Sequence, residues 1–417
     1  MKKKVLLASS LGNAFEFFDF ILYGAFIDII ASNFFPSQNK TVSLLMSLGV
    51  FGVGLIMRPF GALVFGYFGD LIGRKRTLSV SMLLMGIPTF IIGILPNYEQ
   101  IGIASSFIII IGRLIQGICA GGEYNGAAIF AIEHNKEHPG LIGGIITASC
   151  VLGALMATLS RSLIDFPDAP EWAWRIPFLS GIFISVIGYY VRRNLTDSFI
   201  FSNAFSKKSI PILKSILSRK SACLLSFSFG ALNGALSYTL FVFLNIYLSR
   251  YLNFPLADAI RINLFGLFAF MLGSPLLGFL YDKLPNHLFI KYVPHVLFFS
   301  MIPIFWLISS PISILSILGQ IAFGISAASV AGTGHAAMQN LFPIKERYSG
   351  ISFFFSLGIG IFGSITPLLF VEAIEMHKES LYFPAFFLMS LSVLLYGAYA
   401  TIMSLKPLHP KNGSLNE

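Results

Sequence analysis

The chain has 417 residues, of which 55% are hydrophobic and 11% charged, with a formal net charge of +9. An ordinary soluble domain carries roughly 25% charged residues, so this composition, with a mean hydropathy of +0.79, excludes a soluble globular protein. The bases are scattered along the chain instead of forming a basic domain, which excludes nucleic acid as the partner that explains the charge.

Apolar stretches recur along the whole sequence at about the 20-residue length that a helix needs to cross a bilayer. Backbone inside a membrane must satisfy its own hydrogen bonds, so these stretches are predicted to be helices and the fold class all-α. The predicted spans, about twelve by this length criterion, are residues 11–32, 42–68, 77–95, 101–131, 140–163, 175–193, 221–249, 258–281, 287–308, 312–340, 348–371 and 381–404.

The charged residues predict the orientation of these spans. Lys and Arg accumulate on the cytoplasmic side of membrane proteins, and here they fall in alternate connections. The bases are Lys2 to Lys4, Arg74 to Arg76, Lys136, Arg192, Arg193, Lys207 to Lys220, Lys283, Lys345, Arg347 and Lys406. The opposite connections carry Glu99, Asp165, Asp168, Glu171, Glu372, Glu375 and Glu379. We therefore expect a multi-pass protein of a bacterial inner membrane with both termini in the cytoplasm.

An internal repeat divides the chain into two halves. Residues 194–220 form the longest polar interval, predicted to be a cytoplasmic amphipathic linker between residues 1–193 and residues 221–417. Three residues of the first half recur 212 residues later, as the pairs Gly61 and Gly273, Gly66 and Gly278, and Asp70 and Asp282. The halves are therefore predicted to be two pseudo-symmetric six-helix bundles.

Several motifs then suggest a family. GYFGDLIGRKR (66–76) and RLIQGICAGG (113–122) resemble the loop motif and the fourth-helix motif of the major facilitator superfamily. Further strings resemble its metabolite:proton symporter family, which includes carriers of proline/betaine, 2-oxoglutarate, citrate and shikimate; they are NAFEFFDF (13–20), RPFGALVFG (58–66), GGEYNGA (121–127), WAWRIPF (172–178) and LFPIKERYSG (341–350). The resemblance implies a central site that opens alternately to either face, with solute and proton moving together.

Four ionisable residues within the spans are candidates for proton coupling. Glu16, Asp19, Arg58 and Glu123 lie roughly 8 to 18 Å from the cytoplasmic helix ends at the rise of an α-helix. A charge at membrane depth is costly and usually faces a cavity or a partner. Three acids against Arg58 leave a surplus carboxylate, so Glu123, Asp19 and Glu16 are predicted to carry the proton. The alternative is a salt-bridge network that only holds the helices together.

Neighbouring polar positions are predicted to bind the solute. Asn13, Glu16 and Tyr23 lie within about 60° of one another on helix 1, forming a polar stripe that Asp19 borders. The 212-residue repeat also sets His335 opposite Glu123. The predicted solute-binding residues are Arg113, Arg58, Gln116, Asn13, Tyr23, Tyr124, His335 and Gln339. Because two of them are buried Arg residues, an organic acid is favoured over a zwitterionic osmolyte.

The loop motif is predicted to form an inner gate. Small residues allow close approach of helices, Asp70 can accept hydrogen bonds from the start of a neighbouring helix, and the bases can bind the anionic inner leaflet. The predicted gate residues are Gly66, Gly69, Asp70, Gly73, Arg74, Lys75 and Arg76.

The motifs of a membrane enzyme are missing from the sequence, which has no Walker-type loop, His-Glu-x-x-His sequence or Cys/His set. Cys119, Cys150 and Cys223 are predicted to be buried small residues, and neither a metal nor a cofactor is expected. We therefore predict a secondary transporter, working as a monomer, that takes up a small organic acid or zwitterion with protons. A proton-independent exchanger remains an alternative, as does a drug:proton antiporter, although helix 5 lacks the Gly-Pro pattern typical of such exporters.

Overall fold

The computed structural model describes residues 2–72, 74–135, 137–164, 170–193, 218–339, 341–376 and 381–405. It describes their side chains except those of residues 2–5, 66–78, 123, 134, 191–193, 286, 287, 344–346, 348, 404 and 405. All regular structure in these ranges is helical, which confirms the all-α prediction.

In the described ranges the helices group into twelve units, numbered α1 to α12, and several units consist of consecutive segments. They are α1 (Lys2–Ala25 and Ile27–Phe34), α2 (Lys40–Ile56 and Arg58–Ile72), α3 (Arg74–Ile94), α4 (Ile103–His134), α5 (Pro139–Ile164), α6 (Arg175–Arg193), α7 (Lys220–Tyr238, Thr239–Phe243, Leu244–Ile246 and Tyr247–Tyr251), α8 (Leu256–Lys283), α9 (Asn286–Ile308), α10 (Ser313–Met338), α11 (Ile344–Gly358, Ile359–Gly363 and Ser364–Met376) and α12 (Phe383–Leu405). A short helix, Tyr98–Ile101, precedes α4.

Most of these helices are suited to a bilayer. Among the described residues, nine helices are long and apolar enough to cross a membrane. The helices α3 and α6 contribute shorter apolar stretches, Ser79–Ile94 and Arg175–Tyr190. The first helix begins earlier than predicted, because a hydropathy window does not detect the basic turn that extends α1 back to Lys2.

Local chemistry sets several helix ends. Asn39 caps α2 by accepting a hydrogen bond from the Thr41 amide at 2.8 Å, and Pro139 occupies the first position of α5, where a missing N–H costs nothing. The turn after α7 is closed by Asn253 in the left-handed conformation, with φ of 56°. Asn tolerates this conformation better than most residues.

The span predicted over 42–68 is interrupted by a turn at Met57, which places Arg58 at the start of a new segment.

The packing of the two halves is pseudo-symmetric. In the first half α1 packs on α5, α2 on α4, and α3 on α6; in the second half α7 packs on α11, α8 on α10, and α9 on α12. Each contact is thus repeated six helices later, as the internal repeat predicted. The predicted linker between the bundles lies, up to residue 217, outside the described residues.

The helix pairs that join the bundles most extensively are α5 with α8 and α2 with α11, and α5 also packs on α10. Glycines bring the first pair together: a Cβ atom on Gly140 would lie 2.2 Å from the backbone oxygen of Gly278, and a Cβ on Gly278 would lie 2.2 Å from that of Gly140. The helix backbones therefore touch at this point and leave no room for side chains.

The helices α7 and α11 each contain π-helical turns. They comprise Thr239–Phe243 and Tyr247–Tyr251 in α7, and Ile359–Gly363 in α11. A π turn inserts a residue and re-aims the side chains beside it, and such turns are frequent at functional sites. The first of them begins next to Tyr238, and the last begins at Ile359; both residues line the cavity described below.

Candidate functional site

A small cavity lies between the two bundles. It leaves about 20 Å³ for the centres of water molecules, which is room for about one water. Its lining residues are Phe17, Arg58, Tyr124, Thr147, Cys150, Val151, Asn233, Gly234, Ser237, Tyr238, Phe241, Phe270, Ala331 and Ile359. Helices of both halves contribute, so a solute held here touches both bundles. To admit one, the lining side chains must move apart.

Arg58 carries a charge into this cavity. Its side chain is 2% exposed, its Nη1 donates to the Tyr238 hydroxyl at 3.2 Å, and its Nη2 donates to the Ala120 carbonyl at 3.4 Å. Among the described side chains that line the cavity, Arg58 is the charged one. A guanidinium at this depth favours an anion as its ligand. The bond to Tyr238 also joins α2 of the first bundle to α7 of the second.

Aromatic rings form much of the remaining wall. Phe17 and Tyr124 lie with centroids 5.7 Å apart on the first bundle. On the second bundle, Phe241 lies 5.9 Å from Tyr238 and 6.0 Å from Phe270. The face of an aromatic ring attracts cations. The cavity therefore offers a guanidinium for an anionic group and ring faces for a cationic group.

Arg113, the other predicted anion-binding residue, lies inside the first bundle. Its Nη1 donates to the Phe20 carbonyl at 3.2 Å and to Gln116 Oε1 at 2.9 Å. Its guanidinium carbon lies 4.2 Å from the centre of the Phe20 ring, 4.8 Å from Tyr23 and 4.9 Å from Phe51. The side chain is fully buried. In this conformation its two Nη groups donate to protein carbonyls and to Gln116.

The polar stripe of α1 faces neighbouring helices of the same bundle. Asn13 donates to Cys150 Sγ at 2.9 Å, which links it to the cavity wall through α5. The Tyr23 hydroxyl lies 3.1 Å from Ser47 Oγ on α2. The structure therefore brings Asn13 close to the cavity and keeps Tyr23 away from it.

The three predicted proton carriers differ in their surroundings. Asp19 accepts a hydrogen bond from Ser185 on α6 at 3.2 Å, so it lies between α1 and α6. Glu16 is buried one turn earlier on α1. The side chain of Glu123 lies outside those described. The proton-carrying roles of these residues stay predictions.

His335 lies beside the cavity at the junction of the bundles. Its ring centre is 4.7 Å from that of Tyr124 and 5.6 Å from that of Phe355. Neither ring nitrogen has a hydrogen-bond partner among the described residues, and the same holds for Oε1 of the buried Gln339 one turn later. The repeat predicted that His335 lies opposite Glu123. In the structure the ring of His335 contacts Tyr124, which is the residue after Glu123.

Each face of the molecule has contacts that join the bundles. We call the face at which α1 begins and α12 ends the terminal face. There, the Asp282 carboxylate of α8 accepts the amides of Gly140 at 2.7 Å and Leu141 at 2.9 Å, at the start of α5. On the same face Arg347 lies 3.6 Å from Glu133.

The opposite face is joined through Arg250 at the end of α7. Its guanidinium lies 3.0 Å from the Glu375 carboxylate within its own bundle, and it donates to Thr41 of the first bundle. The cavity is therefore closed in by contacts between the bundles on both faces.

Of the predicted inner-gate residues, Gly73 lies outside the described residues, and for Gly66, Gly69, Asp70, Arg74, Lys75 and Arg76 the structure describes the backbone alone, so their gating role stays a prediction. Their repeat in the second half can be compared. Asp282, the counterpart of Asp70, accepts hydrogen bonds from the start of a neighbouring helix, which is the contact predicted for Asp70.

The contribution of the second bundle to the cavity wall was not predicted from the sequence. Asn233, Ser237, Tyr238, Phe241 and Phe270 were not among the predicted residues. An Asn within the apolar stretch of α7 was the available signal, since a buried amide needs partners. The aromatic residues had none, because they resemble the many other Phe residues of the chain.

Comparison with known proteins supports a transporter. The sequence profile of the Major Facilitator Superfamily matches residues 9–367. The chain is 29% identical to the glycine betaine/proline/ectoine/pipecolic acid transporter OusA of Dickeya dadantii, over 97% of this chain and 84% of that protein. It is 30% identical to the proline/betaine transporter of Salmonella typhimurium, over 94% of this chain and 81% of that protein.

Solved structures share the fold at lower sequence identity. The crystal structure of a D-xylose-proton symporter is similar with a TM-score of 0.73 and 13% identity, over 96% of each chain. A bacterial homologue of the human lysosomal transporter Spinster is similar with a TM-score of 0.67 and 15% identity, over 98% of this chain and 99% of that one. This likeness concerns the arrangement of the helices.

Proposed function

Because this chain belongs to the Major Facilitator Superfamily and is therefore a transporter, we propose that it takes up a small carboxylate-bearing solute together with protons by alternating access. The observation that carries this proposal is Arg58, a buried cation on the wall of a cavity shared by both bundles. A positive charge held there is compensated best when an anionic solute binds.

Within that class a zwitterion is favoured over a di- or tricarboxylate. Arg113 makes its hydrogen bonds inside the first bundle, which leaves Arg58 as the cation among the described lining residues. One guanidinium matches one carboxylate, and the ring faces of Phe241 and Phe270 suit an ammonium group. The names of the relatives, carriers of proline and betaines, agree with this solute class.

The solute assignment is tested by uptake of radiolabelled proline, glycine betaine and 2-oxoglutarate into cells expressing the chain. Arg58→Lys keeps the charge but lacks the planar fork that donates to two oxygens. We expect it to weaken uptake of the transported solute by about 10-fold or more, the effect of losing a hydrogen bond to a charged group. Normal uptake by Arg58→Lys would contradict the role of Arg58.

Proton coupling rests on the buried acids. We propose Glu123 as the carrier, or else Asp19 or Glu16, because a carboxylate that alternates between protonated and charged forms can carry one proton per cycle. Glu123→Gln should abolish uphill accumulation and leave counterflow exchange measurable. Glu99→Gln, which changes an exposed acid next to α4, is the matched control. Unchanged uphill accumulation by Glu123→Gln would remove Glu123 from the mechanism.

The terminal face is proposed to be cytoplasmic, since most basic connections lie there and Lys and Arg accumulate inside. We also propose that the protein works as a monomer in the inner membrane, because the cavity is complete within one chain. The medium pH on adding solute to energised cells separates the alternatives. Alkalinisation supports symport, no change supports proton-independent exchange, and acidification supports a drug:proton antiporter.

A further inference from the structure

Two polar residues on α7 give the second bundle a potential ligand. Asn233 and Ser237 lie one turn apart, both line the cavity, and they are 5% and 7% exposed. Across the same cavity, Arg58 belongs to the first bundle.

The Ser237 hydroxyl orients the Asn233 amide. Ser237 Oγ donates to Asn233 Oδ1 at 3.2 Å, so the oxygen of the amide is engaged within α7. Among the described residues, Ser237 is the hydrogen-bond partner of this side chain, so the Nδ2 donors are available to a ligand in the cavity that Asn233 lines. An amide donor on the wall of a cavity takes its acceptor from water or from a ligand.

We propose that Asn233 is the second carboxylate ligand of the transported solute and that Ser237 positions it. This assignment rests on the proposed function and makes it more specific. A carboxylate has two oxygens that accept several hydrogen bonds. The guanidinium fork of Arg58 on α2 donates to both oxygens from one side, and the amide of Asn233 on α7 donates to one of them from the other side. The bound carboxylate then connects the two bundles.

This arrangement explains how a solute favours closure of the cavity. A ligand shifts a conformational equilibrium only through interactions that differ between the two states. With one ligand on each bundle, the carboxylate has both partners only while the cavity is closed around it. A cationic alcohol such as choline lacks the second oxygen and the negative charge of a carboxylate, so it cannot make this connection.

The test is equilibrium binding of radiolabelled proline, glycine betaine and 2-oxoglutarate to the purified full-length chain in nanodiscs. Asn233→Ala should raise the dissociation constant of the bound probe by about 10- to 100-fold, the loss expected for a hydrogen bond to a charged group. Asn233→Asp should weaken binding further, since it sets a carboxylate against the ligand's carboxylate. Asn245→Ala is the matched control, an Asn on α7 that does not line the cavity.

Ser237 supplies a milder variant that keeps the test informative if Asn233→Ala folds poorly. Ser237→Ala frees the amide to turn its oxygen towards the cavity, and we expect a 3- to 10-fold weaker affinity, about one hydrogen bond of ordinary strength. Ser237→Thr keeps the hydroxyl and should restore binding. In an Asn233→Ala background Ser237→Ala should add nothing, because the two residues act as one unit.

Three results separate this inference from the proposed function. If the wild-type chain binds a probe and both Asn233 variants bind it equally well, the role of Asn233 is wrong while the proposed function stands. If Ser237→Ala weakens binding as much with Asn233 absent as with it present, the positioning role is wrong. If the wild-type chain binds none of the three probes, the proposed solute class is wrong, and the carboxylate role of Asn233 with it.

Discussion

Asp282 makes the contact between α8 and α5 whose loss should open the terminal face. Its two carboxylate oxygens accept the amides of Gly140 and Leu141 at 2.7 and 2.9 Å. These amides lie in the first turn of α5, where the helix itself offers no acceptors. The negative charge of the carboxylate also lies at the positive end of the α5 dipole, which stabilises the contact. We expect Asp282→Ala to remove this connection between α8 and α5 and to favour the state in which the bundles separate there.

The size of the shift follows from those two bonds. Hydrogen bonds to a charged acceptor contribute about 1.5 to 3 kcal/mol each when buried, and Asp282 is half-buried, with water replacing part of the loss. The closed state should therefore lose about 2 kcal/mol. At 25 °C this corresponds to a roughly 30-fold increase in the ratio of open to closed molecules. Asp282→Asn keeps one acceptor and should have a smaller effect.

Cys150 provides the assay, because its thiol lines the cavity and is buried in the closed state. A membrane-impermeant maleimide added on the terminal side should label Cys150 about 30-fold faster in Asp282→Ala, since the labelling rate follows the open population. Peptide mass spectrometry identifies the labelled cysteine. Asp258→Ala, at the other end of α8 and paired with Arg261, is the control. An unchanged labelling rate in Asp282→Ala, or an equal increase in Asp258→Ala, would refute this reasoning.

Two further predictions concern helix packing and the ion pair of the terminal face. A Cβ atom on Gly117 would lie 1.9 Å from the backbone oxygen of Gly54, so Gly117→Ala should separate α4 from α2. Overpacking of this kind lowers the free energy of unfolding by about 1–3 kcal/mol, and we expect the melting temperature to fall by several degrees. Nothing lies within 4 Å of a Cβ on Gly49, so Gly49→Ala is the control and should leave the melting temperature unchanged. An equal fall in melting temperature in the two variants would contradict this account. Glu133 lies 3.6 Å from Arg347 across the bundles. Glu133→Arg sets two positive charges against each other, so it should speed maleimide labelling of Cys150 from the terminal side. Adding Arg347→Glu restores a pair of opposite charges and should reverse the increase. Failure of the double variant to recover would show that the pair does not connect the bundles.

The spans and their pairing into two bundles could be predicted from the sequence, because hydropathy and chain length decide which stretches cross a bilayer. The boundaries were less accurate where helices continue into polar sequence or contain a turn. Met57 divides an apolar stretch whose single charged residue is Arg58, and a hydropathy window averages over such a turn. The π-helical turns of α7 were missed for the same reason, since they form when packing against neighbouring helices shifts the hydrogen-bond register.

The site could be predicted only in part. Counting along the helices gave Arg58 and Arg113 similar roles, as buried cations that could bind an anion. Arg58 lines the cavity, whereas Arg113 lies among Phe20, Tyr23 and Phe51 inside the first bundle. Depth along a helix follows from the rise per residue, but the direction of a side chain depends on how the helix is rotated against its neighbours.

The sequence by itself therefore determined the membrane location, the helical fold, the repeat and the burial of Glu16, Asp19, Arg58 and Arg113, because each follows from local composition and spacing. Tertiary structure alone decided which buried groups face the cavity. Close contacts between backbones, such as that of Gly117 with Gly54, set the rotation of each helix. That rotation turns Arg58 and Asn233 towards the junction of the two bundles, and it turns Arg113 away.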